Sequence, residues 1–216
     1  MRTRRGRGRG AFTLVEMLVV IAIISILAGL VLTGVLRGRQ SGFERATQAE
    51  IQMLCARIEA FKNSFGYYPP SSLAVLKVKT NGVNDGNESL FAFLTSRKRG
   101  GPFADDLRED RWANADGDSL SPEDLKKVVK ELDWIRGNDQ LLEYVDLWGN
   151  PFVYLLSSDY GKKLKCQAPG GEVFEVEAQK NPATGTYYAP TTYQLWSLGP
   201  DGVNENGSGD DIVSWK

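Results

Sequence analysis

The sequence predicts an α+β fold in which one long N-terminal helix precedes a small antiparallel β-sheet. Two patterns predict the helix: residues 12–36 are almost entirely apolar, and an amphipathic helical repeat continues from there to residue 65. A third pattern predicts the sheet, because short runs of β-branched and aromatic residues alternate with turn residues after position 145. The first half of the helix is expected to cross a membrane, and the second half is expected to pack on the sheet.

A basic leader precedes the apolar run. Five arginines stand among glycines in residues 1–10, and the run from Phe12 to Leu36 then contains a single ionisable residue, Glu16. Because about 20 apolar residues cross the roughly 30 Å hydrocarbon core of a bilayer, this run is long enough to span it once. The dense positive charge before the run predicts a cytoplasmic N-terminus, which places the chain beyond residue 40 in the periplasm.

Three interpretations of this segment compete. A cleaved secretory signal peptide has an apolar core of about 7–15 residues and a small-residue cleavage site, whereas this core is longer and Ile26-Leu27-Ala28 is a poor site. A plain membrane anchor would not need Glu16. The third interpretation gives Glu16 a partner, because a carboxylate inside a membrane costs about 2.5 kcal/mol or more. A primary amine at the start of a neighbouring helix is a suitable partner.

Residues Gly10 to Leu18, with the sequence GAFTLVEML, resemble the processing motif of type IV pilins and type II secretion pseudopilins. The resemblance implies that a prepilin peptidase cuts between Ala11 and Phe12 and that the new Phe12 amine is methylated. It also implies that Glu16 pairs with the amine of an adjacent subunit during assembly. The family usually has glycine directly before the cut, whereas this chain has Ala11 preceded by Gly10.

The amphipathic half of the helix is predicted over residues 37–66. Its apolar residues recur at helical spacing and are expected to face the sheet: Phe43, Ile51, Leu54, Ile58, Phe61 and Phe65. Gly66 and the Tyr67-Tyr68-Pro69-Pro70 segment predict the end of the helix.

Residues 67–145 are expected to form a variable region. The resemblance implies that residues 75–145 are an enlarged insertion, because the family usually has a short connection here, and the sequence does not assign its role. Helices are predicted at Ser89–Leu94 and Leu120–Ile135, the second with Ser121 as its cap and Pro122 in its first turn. The segment from Asn114 to Asp124 partly matches an EF-hand loop, but it lacks the required glycine and its acidic pair is one residue out of register. A capped helix preceded by an acidic loop is the favoured interpretation.

Residues 146–216 are predicted to form the antiparallel β region. Its strands are expected at Phe152–Leu156, Val173–Ala178, Thr191–Leu198 and Ile212–Trp215. The connection from Ser197 to Ile212 is rich in glycine and contains four acidic residues. Two interpretations apply, namely a solvated surface turn and a site for calcium, which takes 6–8 oxygen ligands.

The same region resembles the major pseudopilin of type II secretion systems. The resemblance lies in DLWGNPF at 146–152, YQLWSLGPDG at 193–202 and DDI at 210–212. It implies a calcium ion held by the carbonyl groups of Leu198 and Val203 and by the carboxylates of Asp201 and Asp211, with Asp210 as a further candidate.

Composition excludes several classes of function. The chain has no histidine, so histidine-based acid–base catalysis, Ser-His triads and histidine metal sites are excluded. Loss of the five leader arginines leaves 21 Lys and Arg against 27 Asp and Glu, a formal charge of −6 that argues against a nucleic-acid partner. Cys55 and Cys166 are the only cysteines, and whether they pair stays open at this stage.

The resemblance implies a structural subunit and not an enzyme. Residues 1–11 would be a cleaved leader and residues 12–36 a single inner-membrane span. The expected partners are identical subunits in a helical filament, minor pseudopilins, the prepilin peptidase, an inner-membrane assembly platform and membrane lipid. A type IV pilin of a surface fibre is the alternative, although many pilins close a C-terminal disulfide and this chain has no cysteine after Cys166. A membrane-anchored enzyme using paired carboxylates, such as Asp105 with Asp106, lacks any nucleophile motif.

Overall fold

The computed structural model describes residues 13–133 and 139–215, and the chain divides into two compact units, Met1–Gly42 and Phe43–Lys216. Helix α1 runs from Leu14 to Phe65. Its predicted end is confirmed: Gly66 adopts φ +85° and its N–H donates to the carbonyl of Lys62 at 2.7 Å, the left-handed termination that glycine permits.

The first unit contains the membrane-compatible part of α1. The 19 residues from Leu14 to Leu32 are long and apolar enough to cross a bilayer, and none of them is buried within the chain. Large apolar side chains such as Leu14, Ile26 and Leu30 are therefore exposed on all sides of the helix. A fully apolar helix without protein around it is typical of a segment surrounded by lipid or by other helices.

Within its described residues, 43–133 and 139–215, the second unit adds two α-helices and seven short strands. The helices are α2, Asp85–Leu94, and α3, Pro122–Leu132. Short 3-10 helices lie at Leu73–Leu76, Lys98–Gly100, Glu109–Arg111 and Ser157–Asp159. The strands are β1 (Trp112–Ala113), β2 (Glu143–Tyr144), β3 (Val153–Leu156), β4 (Leu164–Gln167), β5 (Val173–Val176), β6 (Tyr193–Ser197) and β7 (Ile212–Val213). They form three antiparallel sheets, β1-β2, β3-β6-β7 and β4-β5.

The core lies where the second half of α1 meets α2 and the β3-β6-β7 sheet. The predicted apolar face of α1 is buried there, and Ile51, Ile58 and Phe61 have no exposed surface. The insertion contributes to this core directly, because the ring of Phe93 on α2 lies edge-on to Phe61 with centroids 5.8 Å apart. The variable region is thus part of the same packed unit and not an appendage on it.

The helices of the insertion differ from the prediction mainly at their ends. Helix α2 begins four residues earlier than expected, at Asp85, directly after Asn84 in the left-handed conformation at φ +54°. Helix α3 begins at Pro122, and the side chain of Ser121 caps it by accepting the N–H of Asp124 at 3.1 Å, as predicted. The predicted end of this helix at Ile135 falls outside the described residues, and α3 ends at Leu132.

The four predicted strands are confirmed with shorter bounds, but the sequence did not predict the two-residue strands β1 and β2, nor β4. Strand β4 is the longest of the three. Its residues LKCQ carry little β-branched character, and the strand exists because it pairs along its length with β5, for example Cys166 with Phe174. The single sheet that we expected is instead three small ones. Cys55 and Cys166 are both free thiols, so the open question of their pairing is resolved against a disulfide.

Candidate functional site

The N-terminus of α1 is organised by Thr13 and Glu16. The Glu16 Oε2 atom accepts hydrogen bonds from the backbone N–H and the hydroxyl of Thr13, both at 2.8 Å. In return, the Glu16 N–H donates to Thr13 Oγ1 at 3.2 Å. This reciprocal pairing is a capping box, which satisfies backbone donors in the first turn of a helix. The Thr-x-x-Glu spacing was visible in the sequence, but we had assigned Glu16 an intermolecular role alone.

The cleavage-site residues of the processing motif fall before the part of the chain that the structure describes. Gly10, Ala11 and Phe12 lie outside the described residues, so the structure gives no geometry for the cleavage site or the amine. Glu16 lies in the first turn of α1 and inside the membrane-compatible segment. Its position is therefore compatible with a local role in capping and with a role between subunits.

The second candidate site is the loop between β6 and β7. Carboxylate oxygens of Asp201, Glu205 and Asp210 all lie within 4.8 Å of one another, close enough to share one metal ion. Asp201 and Asp210 are exposed and Glu205 is half-buried. We had not named Glu205 as a ligand. The only signal for it was its membership of the four acidic residues in this loop.

Asp211 differs from these three residues, because its side chain is hydrogen-bonded to the backbone of the loop. Its Oδ2 atom accepts the N–H groups of Glu205 at 3.1 Å and Gly207 at 2.7 Å, which ties the middle of the loop to the start of β7. Burial raises its pKa to about 6, although the two backbone hydrogen bonds oppose the shift. Of the two expected carbonyl donors, Leu198 is a fully buried residue and Val203 an exposed one.

The loop is held to the rest of the sheet by the turn at Asp146. This buried side chain accepts the N–H groups of Trp148 and Asn150 at Oδ1, both at 2.9 Å, and the hydroxyl of Ser197 at Oδ2, at 2.5 Å. The Asn150 amide then donates to the carbonyl of Gly199 at 3.2 Å. Two of the three sequence segments that carried the second resemblance, 146–152 and 193–202, are thus in direct contact.

Burial raises the pKa of Asp146, while the hydrogen bonds from Ser197, Asn150 and Trp148 favour its charged form. The side chain serves as an acceptor for three donors on two segments. It positions the loop and is too deeply buried to reach a ligand in solvent.

One family model matches this chain, that of the prokaryotic N-terminal methylation motif, over residues 6–32. No curated protein and no solved structure matches the chain. The match includes the predicted cleavage site, Glu16 and the apolar segment up to Leu32. The chain therefore carries a prepilin-like methylation motif on an apolar N-terminal helix compatible with a single-pass membrane anchor, followed by an α+β unit, and the motif indicates a type IV pilin-like or pseudopilin subunit.

Proposed function

We propose that this chain is the repeating subunit of a type II secretion pseudopilus, a periplasmic filament that drives protein export. A prepilin peptidase would cut between Ala11 and Phe12, and the N-terminal helices would then pack into the filament core. The globular unit would face the periplasm. Identical subunits, minor pseudopilins and an inner-membrane assembly platform are the partners that this function requires.

The observation that carries the proposal is the methylation motif joined to an exposed apolar helix. Residues 6–32 match the motif, and no residue of the span Leu14–Leu32 is buried within the chain. Lipid can cover such a helix in the membrane, but a filament leaving the membrane must cover it with the helices of neighbouring subunits. Helix packing between subunits is therefore the physical basis of assembly.

Glu16 supplies the directional element in this packing. Even near the end of the span, where Glu16 lies, a carboxylate in a membrane segment is unfavourable, so pairing with a cation recovers free energy. The capping box uses Glu16 Oε2 for both hydrogen bonds from Thr13, and these are bonds to neutral donors that leave the negative charge in place. The methylated amine of Phe12 on an adjacent subunit would neutralise that charge and set the axial offset between subunits.

The test compares Glu16→Ala with Thr13→Val in the native host, with filaments measured by electron microscopy and processing by intact mass. Both variants lose the hydrogen bond from the Thr13 hydroxyl to Glu16 Oε2, but only Glu16→Ala loses the charge. We expect both to be cut and methylated, the methyl group adding about 14 Da, and we expect Glu16→Ala alone to lose filaments. Wild-type filament yield from Glu16→Ala would refute the role of the carboxylate. Equal losses from the two variants would assign the effect to helix capping.

We also propose that calcium binds the loop between β6 and β7. The donor set fits this ion, because Asp201, Glu205 and Asp210 present only oxygen atoms and lie close together. Without a cation the three carboxylates repel one another, so binding would stabilise the folded loop. Asp201 and Asp210 come from the expected set and Glu205 is added to it. Asp211, Leu198 and Val203 are the other expected ligands.

The calcium test uses thermal unfolding of the full-length chain in detergent, with calcium and with a chelator. We expect calcium to raise the melting temperature and Asp201→Ala to remove the part of that rise due to this loop. A full calcium response in Asp201→Ala would contradict the loop assignment while leaving the filament function intact. Filaments found on the cell surface and not in the periplasm would favour the type IV pilin alternative.

A further inference from the structure

The insertion contains a second group of carboxylates at a place where nothing yet assigns a site. The loop after β1 folds back on itself, because the Asn114 side chain accepts the N–H of Asp118 at 3.0 Å and donates to its carbonyl at 2.7 Å. This brings Asp116 and Asp118 against α2. Carboxylate oxygens of Glu88, Asp116 and Asp118 all lie within 4.8 Å of one another.

The burial of Glu88 distinguishes this group from an ordinary acidic surface loop. Its exposed fraction is 1%, and neither carboxylate oxygen has a hydrogen-bond partner among residues 13–133 and 139–215. The Asp118 Oδ1 atom is also buried without a partner in that part of the chain. A buried carboxylate that accepts no hydrogen bond is among the most expensive groups a protein can contain, unless it is paired, bound to a metal or protonated.

Glu143 provides an internal comparison. It is as deeply buried as Glu88, but its Oε1 atom accepts the Asn84 amide and its Oε2 atom accepts the Ala115 N–H, both at 2.9 Å. The fold therefore supplies donors to one buried glutamate and none to the other. The Glu88 carboxylate is directed instead at Asp116 and Asp118. Burial is the main cause that raises its pKa, and the charges of Asp118, Glu143, Asp116 and Asp85 act in the same direction.

We propose that Glu88, Asp116 and Asp118 bind a calcium ion that fastens the loop after β1 to helix α2. The ligands are all oxygen atoms, and a calcium ion accepts carboxylates in flexible arrangements completed by water. Magnesium is less suited, because it requires near-ideal octahedral geometry and releases its water reluctantly. An ion here would offset the repulsion between the three carboxylates.

The geometry also explains why the partial EF-hand pattern at residues 114–124 does not contain all the ligands of the proposed site. The acid at the start of α3, Asp124, binds Ser121 at 2.9 Å and Lys127 at 2.7 Å, so it is engaged in capping the helix. The buried ligand comes instead from α2, which precedes the loop in the chain. Burial raises the pKa of Glu88 to about 11, and the neighbouring carboxylates act in the same direction, so charging this residue without a cation is unfavourable.

The first measurement is the number of calcium ions bound by the full-length chain in detergent, determined by equilibrium dialysis after chelation. Glu88→Gln is nearly isosteric and removes the charge. Glu123→Gln is the matched control on α3, with a side chain that is 86% exposed. We expect Glu88→Gln to bind one ion fewer per chain and Glu123→Gln to match the wild type. An unchanged ion count in Glu88→Gln would overturn the proposal.

The second measurement separates a bound ion from a protonated Glu88. In chelator, Glu88→Gln is expected to be at least as stable as the wild type, because the amide removes the need to bury a charge or a proton. In calcium, the order is expected to reverse, since only the wild type gains from this site. Equal calcium-induced rises in the two melting temperatures would mean that Glu88 is simply protonated, which would overturn the proposal.

Asp116→Asn covers the case in which Glu88→Gln does not fold, because Asp116 is only half-buried. It is expected to lose the same ion. The loop between β6 and β7 is tested separately by Asp201→Asn, whose effect on the ion count should add to that of Glu88→Gln. If Asp201→Asn changes nothing, the proposal for the C-terminal loop fails while the site at Glu88 stands on its own result.

Discussion

Replacing Gly207 by alanine tests how the C-terminal loop is held against the sheet. Gly207 adopts φ +82°, and a Cβ atom added there would lie 2.7 Å from Cη2 of the Trp215 indole and closer still to Cζ2. The indole has little room to move, because its ring centroid lies 5.6 Å from that of Tyr188 and 5.9 Å from that of Trp196. The left-handed backbone costs alanine about 1–2 kcal/mol, and overpacking adds about 1–3 kcal/mol. The free energy of unfolding should fall by about 2–5 kcal/mol.

Gly66→Ala is the matched control, because Gly66 adopts φ +85° and has no atom within 4 Å of its built Cβ. It should cost only the backbone part, about 1–2 kcal/mol. The assay is urea unfolding of the full-length chain in detergent with tryptophan fluorescence, since all five tryptophans follow residue 43. Equal losses for the two variants would show that the loop does not pack on Trp215 and would refute the reasoning.

Two further substitutions test buried polar contacts in the same unit. Asp146→Ala removes the acceptor for Ser197, Trp148 and Asn150, and it should cost about 2–4 kcal/mol in urea unfolding; a loss no larger than that of an exposed aspartate would contradict this role. Arg111→Met removes the cation that lies 2.9 Å from Glu50, and it should cost about 3 kcal/mol at neutral pH. Adding Glu50→Leu should recover the part of that loss that comes from the unpaired carboxylate, as measured by a double-mutant cycle. The hydrogen bond from Arg111 Nε to the Val145 carbonyl, at 2.8 Å, stays lost in the double variant. Burial already raises the pKa of Glu50 and Arg111 opposes the shift, so without Arg111 the pKa rises further. The stability cost of Arg111→Met is therefore largest above the pKa that Glu50 has in the variant, and it shrinks as the pH is lowered and Glu50 becomes protonated. A cost that does not change with pH would exclude an unpaired Glu50 carboxylate as its cause.

Several parts of this protein can be predicted from local sequence patterns. The apolar span, the end of α1 at Gly66 and the Ser121 cap of α3 each follow from residues within a few positions of one another, so no tertiary contact is needed to predict them. The buried face of α1 is also predictable, because its apolar residues recur at helical spacing. Thr13 and Glu16 show that even a local signal is missed when a residue is given a single role, because their spacing predicts a capping box.

Contacts between residues far apart in the chain are known only from the fold. Strand β4 forms because β5 pairs with it, and Asp211 braces its loop because Gly207 and Glu205 turn their N–H groups toward it. Nothing in the sequence distinguishes Glu88 from other polar residues of a helix. Only packing shows that it is buried, that it lacks a donor within the described residues and that Asp116 and Asp118 lie beside it. Burial and charge proximity are properties of the folded chain, and no local pattern carries them.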